Sequence, residues 1–306
     1  MNQTSAYHTM IVDLMTAATP AVSLQSTIAL VCLVRSLKAS TRPFLLQLGK
    51  QVLAPDPKAQ KKDEERIEWF ATYAFRLAVR CYVMALSVME YYESPDHWHD
   101  TTLLWRGYPH HNASKLVEQI YLLQLAYHLD DMLAIFYDVF WNQTARKDFV
   151  ETTVHHAATV GLLAGSYYYK FTRIGTVVST LHCLADLPKD AAKVALQAGW
   201  KKLARALFAI LVVTWGVTRL YIYPVQFLRS VFVESYLLWE HPEANVPKSS
   251  ARTLQGLLVL ILILNTAWFG LLLKILVKAI NGTDEDPYSK KVQVGKKANG
   301  ETVKSD

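Results

Sequence analysis

The sequence predicts an all-α, multi-spanning membrane bundle of six to seven transmembrane helices, and three observations predict it. Long runs with few charges recur along the 306 residues, each near the roughly 20 residues that cross a hydrocarbon core about 30 Å thick. Charged residues make up 19% of the chain, against about 25% in a typical soluble domain. Tyr and Trp number 16 and 8, and both gather at membrane interfaces. These features exclude a soluble globular enzyme, a fibrous protein and a disordered chain.

The expected spans, in order, are about 20–37, 67–91, 115–140, 149–169, 172–187, 204–223 and 254–279. Arg35 interrupts the first. The second carries Arg76 and Arg80 four apart on one helical face, which should turn into the bundle or reach back to the interface. The third contains His128, Asp130 and Asp131, which either line a cavity or sit on a packed face. The last is the clearest, since Leu257 to Leu264 holds no polar residue. Residues 1–65 form an N-terminal segment with the first span, followed by a charged linker over 55–66. Residues 66–280 form the main helical domain. Residues 281–306, with Asp284-Glu285-Asp286 and then scattered Lys, Gly and Ser, read as a disordered cytosolic tail.

The basic residues orient the bundle. With the N-terminus in the lumen, cytosolic segments hold 19 Lys and Arg and lumenal segments hold 7, as the positive-inside tendency requires. Asn2-Gln3-Thr4 and Asn112-Ala113-Ser114 would then face the lumen as glycosylation sequons, while Asn142-Gln143-Thr144 would be cytosolic. Residues 1–19 contain no Lys or Arg, so no cleaved signal peptide is expected. The three cysteines, Cys32, Cys81 and Cys183, lie far apart in apolar runs. They form neither a disulfide framework nor a zinc spacing.

Ionisable residues at membrane depth mark the chemistry, because lipid cannot satisfy them. On the fourth span Arg146, Lys147, Asp148 and Glu151 precede His155-His156 and Thr159. Glu151 and His155 share a face, with His156 and Thr159 beside it. On the fifth span Ser179, His182, Cys183, Asp186 and Asp190 follow the rhythm of one helix face. The turn between the spans centres near Phe171, with His155 16 residues before it and Asp186 15 after it. At a rise of roughly 1.5 Å per residue, an antiparallel hairpin sets the two at nearly equal depth, close to the cytosolic surface. An imidazole there can act as base or nucleophile toward an acyl group, and an aspartate can orient it. Arg146, Lys147, Lys201 and Lys202 at the rim can hold phosphates. The set suits acyl transfer from a water-soluble, phosphate-bearing donor to a lipid acceptor. Against this stands a bland reading for each histidine as a helix-packing partner, which weighs more on His182 alone than on the His155-His156 pair. Adjacent helical histidines point about 100° apart and do not converge on a metal, so no metal is expected.

The run Arg146-Lys147-Asp148-Phe149-x-Glu151-x-x-x-His155-His156-x-x-Thr159 resembles the Lag1 motif of the ceramide synthases, within the TLC (TRAM–Lag1–CLN8) membrane family. The likeness continues through Ser166-Tyr167, Phe171, Arg173, Gly175, Leu181-His182, Asp186 and Ala192-Lys193, so that the motif covers about 146–193. Trp105-x-Gly107-Tyr108-Pro109 upstream and Thr218-Arg219-Leu220 with Pro224 downstream also match the family. The resemblance implies a multi-pass endoplasmic-reticulum enzyme joining the acyl group of acyl-CoA to the amine of a sphingoid base. Ceramide or dihydroceramide would be the product. It implies catalytic roles for His155, His156 and Asp186, with His155 as nucleophile, and substrate contacts for Arg146, Lys147, Glu151, Thr159, His182 and Cys183. Acyl-CoA would be a co-substrate, with no other cofactor. Sphingoid base and membrane lipids would be partners, homo- or hetero-dimerisation with another synthase is open, and nucleic acid is excluded.

One position departs from the family. Its D-x-x-D pair on the fifth span falls on Cys183 and Asp186. A thiol with a reference pKa of about 8.5 stays mostly neutral and does not supply the missing charge, although His182 or Asp190 on the same face can compensate. The departure motivates an alternative, a catalytically impaired TLC paralogue that binds lipid and regulates an active synthase. A transporter lacks support, since neither repeated halves nor matched broken helices occur.

Overall fold

The computed structural model describes residues 24–53, 60–110, 113–145, 148–240, 246–281 and 292–293. Among them are seven long helices: α1 (Leu24–Val52), α2 (Gln60–Glu93), α3 (Lys115–Phe140), α4 (Phe149–Tyr168), α5 (Thr172–Gln197), α6 (Lys201–Val233) and α7 (Lys248–Ile280). A two-residue strand, Thr144–Ala145, pairs antiparallel with Val292–Gln293. The all-helical character expected from sequence holds. Among the described residues, three segments are long and apolar enough to cross a membrane: Asp63–Glu93 in α2, then α6 and α7.

Several boundaries differ from expectation. The charged stretch from Gln60 belongs to α2, because Lys, Glu and Arg are good helix formers, Asp63 falls in the first turn where an acidic side chain is favoured, and no Gly or Pro interrupts them. Residues 55–59 of the expected linker and the tail beyond 281, Val292–Gln293 apart, lie outside the described residues. So do Asn2 and Asn112 of the two lumenal sequons. Helix α5 runs on past residue 187 through Pro188 to Gln197. Its extension is pinned by contacts to α2: Arg80 bonds Asp190, and Arg66 donates to the Gln197 carbonyl at 2.8 Å.

Two tight turns fold α4, α5 and α6 back on one another. After α4, Lys170 takes φ 58° and the Phe171 amide reaches the Ser166 carbonyl at 2.6 Å. After α5, Gly199 takes φ 79° and the Trp200 amide reaches Ala195 at 2.9 Å. Both are left-handed helix caps of the Schellman kind. Helix α5 lies against α2, α3, α4 and α6 and is the central element. It approaches α3 and α4 closely at Gly175, where a Cβ would run into the Tyr121 hydroxyl and lie 3.1 Å from Ser166 Oγ. Tyr121 in turn donates to the Thr172 carbonyl at 3.3 Å. Helix α6 is α-helical to Trp215, π-helical over Gly216–Leu228, and α-helical again over Arg229–Val233.

The bundle has a polar end and an apolar end. Ion pairs join helices at one end: Arg35 and Lys38 of α1 to Asp130 of α3 (2.6 and 3.3 Å), and Arg76 of α2 to Asp131 (3.1 Å). The other end is a core built from Leu104, Trp105, Tyr108, Phe171, Ile174 and Phe227 with their neighbours.

Candidate active site

A cavity of about 1070 Å³, its open mouth included, runs between α3, α4, α5, α6 and α7. From Asp186 to Ile174, both lining it on α5, is twelve residues, or roughly 18 Å of helix. At the polar end it is lined by Arg80, His128, His155, His182, Asp186 and Arg219. Leu162, Leu163, Val178, Leu254, Leu258 and Ile261 form much of its wall. Trp105, Phe171, Val231 and Leu238 line it at the apolar end. Trp105 is held there by its indole N–H, which donates to Ser230 Oγ at 2.7 Å, and by edge contact with Phe171.

Three imidazoles meet at the polar end. The ring centroids of His128, His155 and His156 lie 5.1 to 6.2 Å apart. His155 lines the cavity beside Trp268 of α7, ring centroids 5.1 Å apart, and its Nδ1 is buried with no hydrogen-bond partner. His156 is buried behind it, and its Nδ1 lies 3.0 Å from Nδ1 of His128.

His182 is differently placed. Its Nδ1 donates to the Val178 carbonyl at 2.7 Å, so its Nε2 is free to accept from the Asn265 amide at 3.1 Å. Both ring nitrogens are thereby committed, which makes His182 a support for the wall. The Asn265 oxygen accepts from Arg219 at 3.3 Å, and Arg219 stacks 3.9 Å over the Trp215 ring.

Depth counting set Asp186 beside the imidazoles. Asp186 and His155 do line the same cavity, but the carboxylate's bonded partners are cations: Arg80 at 2.6 Å, Arg219 at 2.8 Å and Lys189 at 2.6 Å. Arg80 bridges Asp186 to Asp190, and its guanidinium also lies 5.4 Å from the Tyr127 ring centroid. Cys183 is buried in the same wall, with its Sγ 3.7 Å from the Arg80 carbonyl. Thr159 lines the cavity, whereas Glu151 is exposed at the start of α4 and does not. Arg146 and Lys147 lie outside the described residues. No group of three or more His, Cys, Asp or Glu with metal-ligand spacing occurs among the described residues.

The partners Arg80, Arg219 and Asn265 went unassigned from sequence as parts of the site. A signal existed for Asn265, a lone amide in the apolar run of α7 that is fully buried.

The TLC domain model matches residues 70–274, two-thirds of the sequence and every cavity-lining residue. The chain belongs to the TLC-domain family. It is similar to ceramide synthase 5 of Homo sapiens, 33% identical over 208 residues, covering 68% of this chain and 49% of the relative. It is similar also to ceramide synthase 4 of Bos taurus, 31% identical over 166 residues (54% and 40%), and to ceramide synthase hyl-1 of Caenorhabditis elegans, 27% identical over 221 residues (70% and 56%). The TLC-family chain thus spans about half the length of these relatives.

Proposed function

We propose that this TLC-domain chain is a sphingoid base N-acyltransferase, moving a fatty acyl group from acyl-CoA to a sphingoid amine to give ceramide or dihydroceramide. The observation that carries the reading is the cavity itself, apolar along most of its length with its imidazoles at one end. An acyl tail fills such a space and leaves its thioester at the histidines, while the phosphate-bearing donor stays outside. The ceramide synthase relatives support the same substrates.

In this reading His155 attacks the thioester carbonyl. The C–S bond breaks, the thiol leaves with the imidazole proton, and an acyl-imidazole remains on the enzyme. Its place on the cavity wall suits a nucleophile. His156 backs the reacting ring. Asp186 acts through the cavity-lining cations it gathers, holding Arg80 and Arg219 at the place where negative charge develops on the carbonyl oxygen. Arg146 and Lys147 would meet the donor's phosphates at the rim. The protein would be a multi-pass endoplasmic-reticulum membrane protein of six to seven spans, with the N-terminal end of α4 facing the cytosol.

The test is lipid analysis of the purified protein given sphinganine and mixed acyl-CoAs. Ceramide should form, and His155→Ala should abolish it. Undiminished synthesis by that variant would overturn the assignment.

A further inference from the structure

The acceptor poses a problem that the nucleophile does not solve. A primary aliphatic amine has a pKa in the range of a lysine, about 10.4, so it arrives as an ammonium ion with no lone pair to attack with. The site must take a proton from it before the second bond can form. His155 carries the acyl group at that moment. His182 has both nitrogens committed, Asp186 is held by three cations, and His156 does not line the cavity.

His128 of α3 is the remaining imidazole. It lines the cavity, and its Nδ1 lies 3.0 Å from Nδ1 of His156. Two nitrogens at that distance share one proton. When His128 holds it and donates to His156, the Nε2 of His128 carries a lone pair. We propose that His128 is the base that deprotonates the acceptor ammonium, with His156 behind it as relay, because the Nδ1–Nδ1 contact joins a cavity-facing imidazole to a buried one. This rests on the acyltransferase reading and deepens it.

The step balances. The ammonium gives one proton to His128 Nε2, and His128 passes its Nδ1 proton to Nδ1 of His156, 3.0 Å away. The freed amine attacks the acyl carbon, the bond to His155 breaks, and the second amine proton goes to the departing ring. One proton per turnover leaves through the pair.

The experiment separates the two half-reactions in the full chain. Wild-type, His128→Ala and His128→Asn proteins are given acyl-CoA alone, with released thiol and acylated protein followed by mass, and then sphinganine. Asparagine imitates the Nδ1 side of histidine and keeps a bond to His156, but it lacks the Nε2 base. The expected result is thiol release and acyl-enzyme in all three, with amide formation slowed about 10²- to 10⁴-fold in both variants. Full activity in His128→Asn would reduce His128 to a positioning residue and overturn the proposal. Equal slowing of both half-reactions would also overturn it. Absence of thiol release by the wild type would instead remove the acyltransferase reading on which it stands.

Discussion

A carboxylate with one cationic neighbour can swing away to meet an imidazole. Asp186 has three such neighbours and is fixed among them. Removing one member of a buried ionic group leaves the others uncompensated, at about 3–5 kcal/mol. Asp186→Ala should therefore lower the melting temperature sharply in detergent as well as the activity, whereas His155→Ala should lower activity alone. The same network bears on Cys183. Asp190 already supplies Arg80 with a second carboxylate, one turn further along α5. Cys183→Asp should accordingly leave ceramide synthesis at the wild-type level, and Asp190→Asn should reduce it. Product assays on the two variants side by side check both.

Helix contacts set the next scale. At Gly175 even a methyl group meets the Tyr121 hydroxyl, so Gly175→Ala should force α5 away from α3 and destabilise by about 1–3 kcal/mol. Adding Tyr121→Phe removes the struck hydroxyl and should recover part of the loss, read as melting temperatures of the single and double variants. At the α4–α5 turn, Lys170 holds a left-handed φ that L side chains disfavour. Lys170→Gly should stabilise by about 1 kcal/mol, after glycine's own entropy is offset. Much at this scale was legible in the sequence. Cys183, Asp186 and Asp190 recur at helical spacing, and the short turn at Phe171 makes α4 and α5 antiparallel neighbours. The reach of α5 beyond Pro188 was not legible. It depends on Arg66 and Arg80, more than a hundred residues away, and no local pattern encodes such a contact.

At the level of the whole molecule, the helical class and the imidazole-bearing end could be read from composition and spacing. The cavity could not. It exists because α6 and α7 bring Arg219 and Asn265 to α5, and because Trp105, from the segment between α2 and α3, reaches the far end. Trp105→Ala should deepen that end and shift the products toward longer acyl chains when mixed acyl-CoAs are offered. An unchanged chain-length profile would show that Trp105 does not limit the space.

Around Asp186 and Asp190, three cations answer two carboxylates. The imbalance leaves one surplus positive charge at the polar end of the cavity, where the side chains of Arg80 and Arg219 are 14% and 3% exposed. In the proposed acyl transfer a neutral thioester gains little from it on arrival. Only as its carbonyl oxygen turns anionic does the surplus find a counterpart, so the stabilisation falls on the fleeting species at the top of the barrier.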